Sequence, residues 1–154
     1  MRAQGYISES DQTLSNTAFG IRFAYRMCVT IIVVAMATQS VALFWVMLGI
    51  AFLGVVLPNH PFDYVYNFLL SGLMNRPKVP ARSRQLKFAC TIATLCLAAV
   101  VYLLASGFTT PAMVLAGMLA AMAAIPSTID FCVPSVIYNA LFQKNVNKTE
   151  VTVS

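Results

Sequence analysis

Two stretches of this chain carry no charged residue: Met27 to Leu57, 31 residues, and Phe88 to Ile129, 42 residues. One membrane-crossing helix takes about 20 residues, so a longer apolar run has to turn back on itself. Inside a bilayer every backbone N–H and C=O must be satisfied within the protein, and continuous apolar runs meet that demand as helices. The chain is 59% hydrophobic and 10% charged, where a soluble domain carries about 25% charged residues. The expected fold is an all-α membrane protein, one compact domain of 154 residues with no room for a second globular one.

The longer run divides at SGFTTP (Ser106 to Pro111), which predicts spans near 87–105 and 111–129. The shorter run is long for one helix and short for two. Two fit if the first begins near Ala18, with Arg22 and Arg26 snorkelling to the headgroups. The turn then falls at Ala37 to Ser40, and the spans run near 18–37 and 40–57. Charge placement selects this solution. Arg22 and Arg26 precede the run, and Arg76, Lys78, Arg82, Arg84 and Lys87 follow it. A hairpin puts both clusters on one side, with Lys144 and Lys148, as the positive-inside tendency requires. Four transmembrane helices in two hairpins, both termini cytoplasmic, are therefore expected.

Between the second and third spans, residues 61–74 read as a short interfacial helix. Phe62, Val65, Tyr66, Leu69, Leu70 and Leu73 share one face, and the tyrosines suit headgroup depth. The cations that follow, Arg82 among them, read as a solvated basic loop, and His60 as a polar residue at the membrane edge. A polar segment (1–17), with no signal peptide evident, precedes the spans; a terminal helix near 134–142 and a polar tail (143–154) follow them. Gly49, Gly54 and the run Ala116 to Ala124 with Gly117 supply small faces for close helix packing. A parallel repeat also shows: RFAYRMC (Arg22 to Cys28) against RQLKFAC (Arg84 to Cys90), and PFDYVYNFLL against PSVIYNALF.

The net charge is +5, ten Lys and Arg against five Asp and Glu. These cations bracket the apolar runs instead of forming a stripe, so they point to a bilayer with anionic headgroups and not to nucleic acid. Of the four cysteines, Cys28, Cys90 and Cys96 read as small core residues. Cys90 and Cys96 lie on opposite faces of one helix, so they cannot bridge each other. No phosphate loop, nucleophile elbow or metal-ligand spacing is present, and no cofactor or metal is expected.

The residues with most chemical content are in IDFCVPSVIYNALF, residues 129 to 142. Asp130 is the first charge after the long run. It is expected to pair with Arg22, Arg26 or Lys87 and close the bundle; the alternative is a proton or cation site. Cys132 lies near a proline break at Pro134, as a plain buried thiol or, alternatively, a reactive one. LKFA (Leu86 to Ala89) and DFCVPSVIY (Asp130 to Tyr138) resemble the bacterial membrane proteins grouped as domain of unknown function 4395. The resemblance spans about residues 12 to 142. It implies four helices, a basic central loop ending in a Lys/Arg-Phe-Ala step, and a final segment Gly-Phe-Cys-x-x-Cys-x-x-Tyr. Some relatives stand beside thioredoxin-like or sulfur-transfer proteins, which implies thiol chemistry for the intact pair. Here Asp130 replaces the glycine and Ser135 the second cysteine, so Cys132 and Tyr138 remain. The expected function is that of a membrane protein without catalysis of its own, an accessory or scaffolding subunit beside partner membrane subunits. The alternative is a thiol-redox or sulfur-handling protein using Cys132.

Overall fold

A computed structural model describes residues 11–73, 77–128 and 133–138, and these form helices and connecting turns with no strand among them. The order is α1 (Asp11–Thr38), α2 (Val41–Val56), α3 (Pro61–Val65), a π-helical turn (Tyr66–Leu70), α4 (Ser71–Leu73), α5 (Arg84–Ala105), α6 (Thr109–Thr128) and α7 (Val133–Tyr138). Ala18–Thr38 of α1, all of α5 and all of α6 are long and apolar enough to cross a membrane. With 16 residues, α2 rises only about 24 Å against a hydrocarbon core of about 30 Å. It meets the criterion only together with Pro61–Leu70, from which it is bent by 83°. The protein is thus all-α with three or four apolar helices of membrane-crossing size.

Both hairpins close in the same way. After α1, Ser40 N–H donates to the Ala35 carbonyl and Gln39 N–H to that of Met36; after α5, Phe108 N–H donates to Leu103 and Gly107 N–H to Leu104. Each is a Schellman ending, which needs a left-handed residue just past the helix. Gly107 takes φ 82° without cost, while Gln39 is held at φ 50° with a side chain that disfavours it. Ser40 then caps α2 by accepting the Leu43 N–H.

The two hairpins are interlocked: α1 packs chiefly on α6 and α2 on α5. Ala112, Ala116 and Ala120 of α6 and Ala35 of α1 are buried, and Ile32, Phe44, Met47, Ala51, Leu97 and Val100 complete the core. Without hydrophobic drive between helices in lipid, such small residues bring backbones close enough for dispersion to hold them. Gly117 lies against Met36 of α1, where a Cβ would make only an ordinary contact of 3.6 Å. Gly49, expected to do the same, faces open space.

The segment after α2 is helical from Pro61 to Leu73, where a short helix was expected, and it packs partly on α1. Tyr66 is fully buried against Phe19 and Phe23 of α1, made possible by Gly20, where a Cβ would fall 2.6 Å from the Tyr66 ring. Asp63 is also fully buried, whereas Val65, Phe68 and Leu69 point outward. Of the apolar face read from sequence, Tyr66 is packed inward while Val65 and Leu69 stay exposed. The helix is rolled to bury its acid, and the π turn shifts the register after Tyr66.

The paired Schellman endings predict opposite responses. Gln39→Gly should raise thermal stability in detergent and Gly107→Gln should lower it, each by roughly 1 kcal/mol. Matching shifts in one direction would show that turn strain does not govern these sites.

Candidate functional site

Asp63 is the only acid between Asp11 and Asp130, and it organises the one ion pair recorded among the described residues. Its Oδ2 accepts from Arg82 Nε at 2.6 Å and its Oδ1 from Arg82 Nη2 at 3.2 Å. The side chains are 0% and 5% exposed. Oδ2 also accepts the His60 backbone N–H at 3.0 Å, and His60 Nδ1 accepts the Phe62 N–H at 3.4 Å. This reciprocal cap starts α3, with Pro61 filling the first position where no N–H is needed.

Arg82 is fixed from several sides. Its N–H donates to the Pro58 carbonyl at 3.0 Å, its guanidinium lies over the Tyr25 ring at 5.6 Å, and its Nη1 reaches Cys90 Sγ at 3.7 Å. Asn67 ties down the same connection by exchanging two hydrogen bonds with the backbone of Val79, at 2.7 and 3.2 Å. The supposed solvated loop is thus split. Lys78 and Arg84 are exposed, while the Arg82 side chain is buried. His60, expected at the membrane edge, is likewise buried at 4% exposure.

Burial opposes the charge on Arg82, but Asp63, with Cys90 and Tyr25 beside it, holds its pKa well above the ordinary value. Burial, and then the nearby Arg82, push His60 from 6.5 down to about 3 despite Asp63. The imidazole is therefore neutral, and with Nδ1 accepting a backbone N–H its proton sits on Nε2. Next to the cluster is a cavity of about 90 Å³. His60, Arg82, Cys28 and Cys90 stand at its polar end, and Ile32, Met47, Leu97 and Leu119 line its apolar walls.

The sequence-selected residues lie elsewhere. Asp130 and Cys132 fall outside the described residues, as does the side chain of Ser135. Arg22 is half-buried and Arg26 exposed on α1; Arg26 Nε donates to the Ser127 carbonyl at 3.4 Å, and its guanidinium lies 5.9 Å from the Phe19 ring. Lys87 is half-buried in the first turn of α5. Tyr138 on α7 packs its ring 5.5 Å from Phe88. Arg26 thus reaches the end of α6, just before the segment carrying Asp130. Sequence reading missed Asp63, Arg82 and His60, although a lone acid between two apolar runs was a signal for the first.

A family model described as Domain of unknown function (DUF4395) matches residues 18–143. The chain belongs to this family. Among curated proteins and among solved structures, no match was found. The matched region of this DUF4395 member covers α2, α3, Arg82 and all the cavity-lining residues.

Removing one partner of a buried ion pair leaves the other charge unsolvated. Asp63→Asn should cost about 3–5 kcal/mol, while Asp63→Leu with Arg82→Met should recover most of that loss. Melting curves in detergent read both; an additive double variant would show the charges are independent.

His60 gives a pH signature. Its folded pKa lies below the unfolded one, so the unfolded chain binds the extra proton. This contribution to stability is complete above about 6.5 and is lost as pH falls toward about 3. His60→Asn keeps a capping side chain but removes the titration. Its stability should fall less between those pH values than that of the wild type. Parallel pH profiles would refute the assignment.

Proposed function

We propose that this protein is a non-catalytic integral membrane protein that serves as an accessory or scaffolding subunit beside partner membrane proteins. One observation carries the reading: the charged groups of the buried cluster are engaged in holding the backbone. Asp63 uses both oxygens on Arg82 and the α3 cap. His60 Nδ1 is taken by a backbone N–H, which leaves Nε2 a donor, unable to accept a proton from Cys90. A thiol–imidazole pair of the kind that activates a cysteine nucleophile is therefore not formed here. The two hairpin turns are short, which leaves little surface at that end of the helices for a substrate. Trp45, Phe52, Val56, Tyr102, Val114 and Met118 instead present large apolar surfaces outward, available to lipid or to neighbouring helices.

The placement belongs to the same proposal. The basic residues at both hairpin entries support a cytoplasmic side for both termini and the Arg82 loop in a bacterial inner membrane, next to anionic headgroups. The thiol reading of Cys132 draws support from one feature: Pro134, two residues on, lines the cavity that also holds Cys28 and Cys90.

Gentle detergent extraction of the tagged full chain should recover a stoichiometric complex with other membrane proteins. A monodisperse lone chain, together with alkylation of Cys132 near neutral pH much faster than of Cys28, Cys90 or Cys96, would replace the accessory role by the thiol one.

A further inference from the structure

The His60 ring raises a question that the cap does not answer. The side chain is 4% exposed and forms part of the cavity wall. Its Nδ1 accepts from Phe62, and its Nε2–H has no hydrogen-bond partner among the described residues. The Cδ2–Nε2 edge faces Gly54 and Cys90: a Cβ on Gly54 would stand 2.6 Å from Cδ2 and 3.3 Å from both Nε2 and Cys90 Sγ. Gly54 thus makes room for the ring itself, whose edge rests where a side chain at that position would stand. A donor that opens on a mostly apolar space is left to whatever enters that space, and polar groups in such places usually find a partner.

We propose that the cavity is a binding site for an uncharged acyl carbonyl on an apolar chain, such as that of a fatty acyl ester, with the carbonyl oxygen accepting from His60 Nε2. Three features select this chemistry. The polar end offers donors: His60 Nε2–H, and the Arg82 guanidinium, whose bonds to Asp63 and Cys90 leave two of its five N–H groups unused. It offers them without net charge, because Asp63 neutralises Arg82 and the imidazole is neutral, so an acceptor is favoured over an anion. The remaining walls are apolar, with Ile32, Met47, Leu97 and Leu119 along the path of a chain.

Size separates a chain from a ring. A cavity of about 150 Å³ is known to take benzene, whereas this one is about 90 Å³. A linear chain fits such a space with its remainder outside; a substituted quinone ring does not. This site is independent of the accessory role, because a subunit and a lone protein alike can hold a lipid.

The test uses the purified full chain in mild detergent, with methyl decanoate as probe, decane as its carbonyl-free control, and duroquinone as the ring compound. A ligand that binds only the folded state raises the melting temperature. Methyl decanoate should raise that of the wild type several degrees above the value in decane, and duroquinone should act no better than decane. In His60→Ser, whose short hydroxyl keeps the cap but does not reach where Nε2 stands, the ester and decane should become equal. Ala93→Leu fills the cavity without touching its polar end, and it should also erase the ester's advantage. If His60→Ser fails to fold, this second variant decides. Equal effects of ester and decane in the wild type mean that water satisfies the donor, and they overturn the proposal. A greater effect of duroquinone, or an ester advantage surviving in the variants, overturns it as well.

Discussion

The Asp63–Arg82 pair sits where three parts of the chain meet: the corner after α2, the start of α3 and the approach to α5. Each charge alone would lose several kcal/mol of hydration on entering an apolar bundle. The pair is tolerable because its bonding is nearly complete, two-pronged between the side chains and extended to the backbone of His60. This requirement propagates outward. Asp63 can be buried only if α3 rolls its acid inward, and that roll turns Phe68 and Leu69 to the outside and Tyr66 against α1. The buried acid also anchors the cap on His60, and the cap fixes the imidazole tautomer at the end of the cavity.

The helices were readable because their signal is local. A charge-free run specifies a span wherever it occurs, and the turns at Ala37–Ser40 and Ser106–Pro111 were placed where the left-handed residues Gln39 and Gly107 lie. The cluster was not readable, for the complementary reason. Asp63 and Arg82 are 19 residues apart, and an 83° bend at the end of α2 brings them together. Arg82 stands among cations that do face outward, so its neighbours advertise a solvated loop. His60, between an asparagine and a proline, looks like a turn residue, and it is one, but on the inside. Apolar periodicity over α3 gave no sign that its single carboxylate, Asp63, would be buried.

Cys28 and Cys90 illustrate a middle case. They occupy equivalent places in the sequence repeat, and the reciprocal packing of α1 on α6 and α2 on α5 sets both beside one cavity. The repeat was visible in the letters. That its two halves converge on a shared interior is visible only when the hairpins are seen to interlock.

That interlocking also bears on how the chain is made. A ribosome delivers α1 and α2 to the membrane long before α5 and α6 exist, and within the first hairpin the helices meet each other less than they meet their later partners. The alanine-lined surface of α1 and the inner face of α2 therefore wait in lipid, unmatched, until synthesis reaches the last long helix. Arg82 emerges before α5, so Asp63 can be neutralised while the newborn hairpin is still incomplete. The early ion pair would then hold the corner in place as a template on which the second hairpin docks.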